Sequence, residues 1–233
     1  MGIYAEALIL YILVFFSGSA AVFAGAALPR AFSSIGEITK MLLHIIPSLA
    51  LIWYLIHRSM MTDVKLVRGN YIQASTLKVR FGLKDLISAA YALPCLLAAG
   101  FTVSLVSSFT SAYSETSGAA VNAIIHLPVT NTEWSILCVS CMLSAYLEES
   151  YFRFYLLTRR EELGLRVSGA LVLSIILFSV CHIYGGPWSF LNAVISGAVL
   201  GFIFLRYNAI HGLAIAHGLY NISVYAVYAM INY

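Results

Sequence analysis

The sequence predicts an all-α fold, a polytopic transmembrane helix bundle of about seven spans. Three observations carry that expectation. Hydrophobic residues make up 61% of the 233-residue chain and charged residues only 10%, with a mean hydropathy of +0.89. A soluble globular domain carries about 25% charged residues, so this composition suits lipid and not a water-facing surface. The apolar residues also fall into long runs parted by short polar stretches. At roughly 20 apolar residues per crossing, the length admits about six to eight spans. No stretch resembles a second, soluble domain, and residues 1–233 read as one integral membrane domain. A net charge of +3 is too small to suggest a nucleic-acid partner.

Taken in order, the apolar runs suggest spans at about 3–28, 41–57, 86–109, 134–158, 167–184, 188–205 and 209–231. The first run begins without Lys or Arg and exceeds the apolar core of a signal peptide, so it reads as a span. Gly2 does not open a myristoylation motif, because Glu6 stands where Ser or Thr is required. The stretch 58–85 is basic, with Arg58, Lys65, Arg68, Lys78, Arg80 and Lys84. Its Val64, Leu66, Val67, Tyr71 and Ile72 suit an amphipathic helix lying on the membrane surface. The stretch 110–133 has Glu115 and Glu133 but no Lys or Arg.

That asymmetry predicts orientation. Arg58 to Lys84, then Arg159, Arg160 and Arg166, then Arg206, fall on one side of a seven-span chain, against Arg30 and Lys40 on the other. The positive-inside rule puts the N-terminus and the 58–85 segment in the cytoplasm and the C-terminus outside. Gly185-Gly186-Pro187 predicts a turn between the fifth and sixth spans. Pro94 predicts a kink in the third. Gly197 and Gly201 form a G-x-x-x-G that lets a neighbouring helix approach closely. Cys95, Cys138, Cys141 and Cys181 all lie in apolar runs, so no disulfide framework is expected. Cys138 and Cys141 lack the second pair that a metal site of that spacing needs.

Three places break the apolar pattern. The fourth span carries Glu148, Glu149 and Arg153, the fifth ends in Phe178-Ser179-Val180-Cys181-His182, and the seventh carries His217 and Asn221. An ionisable group in the hydrocarbon region is costly unless paired or hydrated, so such a residue points to function by default. Glu149 and Arg153 are four apart and share a helix face, which predicts an ion pair. Glu148 and Arg153 are five apart, about 140° around an α-helix, which leaves Glu148 free to face the bundle as a general base or acid. His217 and Asn221, again four apart, project together. A lone membrane histidine is commonly a packing residue, and His44, His57, His126 and His211 read so. The convergence of Glu, Glu, Arg, His, His and Asn on three spans is what singles out the cluster.

Glu148-Glu149-x-x-x-Arg153, Phe178-x-x-x-His182 and His217-x-x-x-Asn221 together resemble the CPBP family. It comprises the CAAX-processing type II (Rce1-like) proteases and the Abi bacteriocin-processing or immunity proteins. The likeness covers roughly 134–223, with Gly197 to Gly201 where the family has a glycine-rich helix. It implies a multi-pass glutamic intramembrane endopeptidase of a prokaryotic cell membrane, acting on a peptide or protein tail, lipidated or not, near the cytoplasmic side. Carried over by position, Glu148 would activate water with His182 helping to hold it. His217 and Asn221 would stabilise the oxyanion, and Glu149 and Arg153 would support them. No cofactor is expected; zinc on Glu148, His182 and His217 is the alternative. Counting ~1.5 Å per residue puts Glu148 and His217 ~15 Å deep but His182 ~24 Å, a gap that the fold must close. The competing readings are an inactive relative acting as a membrane scaffold, regulator or immunity protein, and a proton-coupled transporter.

Overall fold

The computed structural model describes residues 2–16, 32–66, 80–110 and 127–232. The second half of the expected first span, most of the expected amphipathic helix and Glu115 lie outside them. Among the described residues the chain forms seven helices and no strand. They are α1 (Ile3–Phe16), α2 (34–66), α3 (Leu83–Ser108), α4 (131–158), α5 (Val167–Val180), α6 (Gly186–Tyr207) and α7 (Ile210–Asn232). In each of α2, α3, α6 and α7 a stretch of 22 to 26 residues is long and apolar enough to cross a membrane. The protein is an integral membrane protein. Helix α4 carries the charges of the site, and α1 and α5 are shorter apolar helices.

The local chemistry explains the helix ends. Thr130 accepts the Glu133 N–H at 3.2 Å while the Glu133 carboxylate accepts the Thr130 N–H at 2.9 Å. This reciprocal cap starts α4. Helix α5 ends at Val180, four residues earlier than the apolar run suggests. A single 3₁₀ turn at Ile183–Gly185 follows. Gly186 then takes φ +85°, a left-handed conformation natural to glycine, and Pro187 enters the first turn of α6. The Gly-Gly-Pro turn is where the sequence placed it. Pro94 lies inside α3, which continues through it.

Packing follows from the small residues and from buried hydroxyls. A Cβ at Gly197 would stand 3.1 Å from Phe178 Cδ1 and 3.7 Å from Ile175 Cα, and one at Gly201 would overlap Leu171. The G-x-x-x-G face of α6 therefore seats α5. Helix α1 is fastened to the end of α4. Tyr151 Oη donates to the Ala7 carbonyl (2.8 Å) and Tyr155 Oη to Glu6 Oε1 (2.7 Å). Arg159 pairs with the same Glu6 at 2.6 Å. Beside them Tyr4 Oη donates to the Leu163 carbonyl at 3.1 Å.

These contacts fix the relative directions of the helices. Helices α2 and α4 run parallel, because Ser140 Oγ donates to Glu37 and Trp53 Nε1 to Ser150 Oγ. Helix α7 runs against α4, with His211 beside Tyr146 and Gly218 against Met142. The starts of α1, α3 and α7 and the ends of α2, α4 and α6 consequently share one end of the bundle. Lys84, Arg159, Arg160, Arg166 and Arg206 all belong to that end.

Candidate active site

The site is built on α4, where the helix changes its winding. Regular α-helix stops at Glu149, and Ser150–Tyr155 form a π-helical turn. A π turn widens the helix and leaves its backbone carbonyls free for outside donors, and such turns recur at functional sites. Here Ser174 Oγ of α5 donates to the Phe152 carbonyl at 2.7 Å, fully buried. The angle of 140° expected between Glu148 and Arg153 assumed uniform α winding, and the π turn intervenes between them. The i,i+4 pair is nonetheless formed: Arg153 Nη1 lies 2.9 Å from Glu149 Oε1, both side chains wholly buried.

Arg153 is held on three sides. Besides Glu149, its Nη2 donates to the Gly197 carbonyl at 3.4 Å, and its guanidinium carbon stands 4.4 Å from the centre of the Phe178 ring. The contact with an aromatic face adds cation–π attraction in a dry setting. Glycine at 197 matters because any side chain there would push on Phe178 and approach Arg153. The whole turn Tyr151–Leu157 is sealed, every residue at 2% exposure or less. The segment of α4 that leads from Glu149 toward the basic end is therefore buried on all sides.

His217 of α7 joins the two glutamates. Its Nδ1 lies 2.9 Å from Glu149 Oε1, so that one oxygen receives both the arginine and the imidazole. Nε2 faces Glu148 Oε2 at 3.7 Å, too long for a direct hydrogen bond. Glu148 is the more open carboxylate, its side chain 20% exposed against 0% for Glu149. The two carboxylates thus occupy different environments. One is a buried anchor, and the other is partly exposed, although its Oε2 is buried and accepts no hydrogen bond among the described residues.

His182 lies in the turn after α5. Its Nδ1 is 2.8 Å from the Phe178 carbonyl. Its ring packs on Phe178 at 4.7 Å between centres, and the same phenyl ring meets His217 edge-on at 5.8 Å. The two histidines, assigned different depths by residue counting, flank one aromatic side chain. Asn221 lies one turn beyond His217 on α7 and is half-buried; it makes no hydrogen bond among the described residues.

No three His, Cys, Asp or Glu side chains among the described residues come together as a metal-holding set. Both His217 nitrogens face carboxylates, and His182 Nδ1 faces a carbonyl. All four cysteines are free. Among the histidines set aside as structural, His211 Nδ1 lies 3.4 Å from Tyr146 Oη, and His126 lies outside the described residues.

With this geometry in view, residues 130–223 match one protein family, described as Type II CAAX prenyl endopeptidase Rce1-like. That segment is Rce1-like. It begins at Thr130, the cap of α4, and ends two residues past Asn221, so all six candidate residues fall inside it. No curated protein and no solved structure matches the chain. The likeness to the CPBP family read from the three motifs is thereby upheld, and helices α1–α3 lie outside the Rce1-like segment.

Reading by motif missed three supporting contacts. The Gly197 carbonyl under Arg153 left no trace, since backbone acceptors have no sequence signature. Ser174 did leave one, as a serine with three apolar residues on either side. Asp85 is buried at 4% exposure, and its signal was a lone acid at the start of the third span, with Gly82 three residues before it.

Proposed function

We propose that this protein is an intramembrane endopeptidase of the glutamic type, in which Glu148 activates a water molecule for attack on a peptide bond. The observation that carries this reading is the convergence of both glutamates on His217, whose Nδ1 stands 2.9 Å from Glu149 and whose Nε2 faces the partly exposed Glu148 at 3.7 Å. Glu149 supports it by holding His217 Nδ1 and so turning Nε2 toward Glu148. The Rce1-like likeness of residues 130–223 supports the peptidase class.

The chemistry follows from the positions. Glu148 takes a proton as the water oxygen bonds to the carbonyl carbon. The developing oxyanion is met by His217 and the Asn221 amide, groups placed before charge appears. Glu148 then returns the proton to the leaving amine as the C–N bond breaks. Glu149 and Arg153 keep the imidazole in place, and His182 helps to orient the water beside Phe178. The reaction needs no metal. The substrate is a peptide or protein tail, lipidated or not.

We also assign the basic end of the bundle, with Arg159, Arg160, Arg166 and Arg206, to the cytoplasm of a prokaryotic cell by the positive-inside rule. This places the N-terminus inside. Cleavage is assigned to the same side.

Terminal proteomics of host cells carrying the wild type or Glu148→Gln at equal expression tests the reading. New protein termini that appear with the wild type and vanish with the variant support it and identify the substrate. Indistinguishable profiles under conditions where the protein acts would remove it and leave a membrane scaffold or immunity role.

A further inference from the structure

We propose that Asp85, on a helix outside the Rce1-like segment, is a positioning residue that sets the height of His217 in the site. Asp85 is the third residue of α3 and is almost wholly buried. Its Oδ2 accepts the Gly82 N–H at 3.0 Å, closing the first turn of its own helix. Its Oδ1 accepts the N–H of Gly212 at 3.0 Å, 127 residues away and buried. Gly212 is the third residue of α7, and its N–H is one of the donors that a helix start leaves without an intrahelical partner. One carboxylate therefore caps two helices, each presenting the positive end of its dipole. No Lys or Arg among the described residues pairs with it.

The joint is tight as well as polar. A Cβ at Gly212 would overlap the Asp85 carbonyl oxygen and Ser88 Oγ and stand 2.7 Å from the Asp85 carbonyl carbon. Ser88 Oγ in turn donates to that carbonyl at 3.0 Å and is fully buried. Helix α7 cannot slide along α3 without breaking the Gly212 bond or driving backbone into backbone. His217 stands five residues further on, ~7.5 Å along the axis. There it must meet Glu149 at 2.9 Å and Glu148 at 3.7 Å simultaneously. An ångström of sliding would break that arrangement, and misplacement on this scale can cost ~100-fold in rate.

The catalytic meaning of this joint rests on the peptidase reading, so its primary test does not use activity. The ring-nitrogen NMR signals of His217 in detergent report its bond to Glu149. In Asp85→Ala, His217 Nδ1 is expected to lose the hydrogen-bonded shift seen in the wild type. In turnover assays kcat should fall at least about tenfold with KM little changed. A folded Asp85→Ala protein with unaltered His217 signals overturns the proposal. Should that variant not fold, Asp85→Ser carries the same test, its hydroxyl being too short to hold Gly212. In the wild type itself, the Gly212 amide should exchange with solvent far more slowly than those of Ile210 and His211, and equal rates also overturn the proposal. If Glu148→Gln shows no lost peptidase activity while Asp85→Ala still shifts His217, the peptidase reading fails and the positioning role stands.

Discussion

Glu149 and His217 lie 68 residues apart in sequence and meet at 2.9 Å, through the same carboxylate oxygen that receives Arg153 at 2.9 Å. This shared oxygen joins α4 to α7 and couples an ion pair within one helix to the imidazole of another. It also separates the duties of two adjacent glutamates, since only the Glu148 side chain is partly exposed.

The two glutamates should therefore fail in different ways. Glu148→Gln should abolish cleavage with little change in thermal unfolding in detergent, because its Oε2 has no hydrogen-bond partner to lose. Glu149→Gln leaves Arg153 as a buried charge without its counter-ion and should cost about 3–5 kcal/mol. Unfolding midpoints of the two variants check this, and equal destabilisation would contradict the division.

Arg153→Lys should be disruptive despite conserving charge. A lysine ammonium cannot present a planar fork to Glu149 and the Gly197 carbonyl while lying on the Phe178 face. A loss of about 1–3 kcal/mol is expected from the bonds left unmade. Thermal unfolding of the lysine variant beside wild type measures it.

Gly201→Ala should destabilise the α5–α6 contact, because the added carbon overlaps Leu171. Overpacking of this kind typically costs about 1–3 kcal/mol. The clash involves the far end of a flexible side chain, so Leu171→Ala should relieve it. A double-mutant cycle should give a favourable coupling energy, and strict additivity would refute the assigned contact.

Tyr155→Phe removes the hydroxyl that reaches Glu6 at 2.7 Å but leaves Arg159 on the same carboxylate. A loss of about 1.5–3 kcal/mol is expected, as for hydrogen bonds to charged groups. Protease accessibility of the α1 region should rise in parallel. Unchanged stability and cleavage pattern would show that α1 is held by its other contacts alone.

Metal removal offers the last test. Under the metal-free mechanism, prolonged treatment with a strong chelator leaves cleavage unchanged, and added zinc does not raise it. Loss of activity on chelation with recovery on zinc would favour the alternative built on Glu148, His182 and His217.

Composition and run length determined the membrane class and the all-helical fold, because hydrocarbon admits only segments that satisfy their own backbone. The i,i+4 spacing of Glu149 and Arg153 determined their pairing, since neighbours on one helix face meet wherever the helix lies. Gly185-Gly186-Pro187 likewise determined its turn locally. The tertiary structure alone decided what depends on partners distant in sequence. These are the capture of His217 by Glu149, the seat of Arg153 on the Gly197 carbonyl and Phe178, and the cap from Asp85 to Gly212. It also decided where α4 changes to a π turn and where α5 stops, neither of which residue counting on ideal helices could place. A sequence displays the periodicity of one helix, whereas the register between two helices is set by packing and by hydrogen bonds that no single segment encodes.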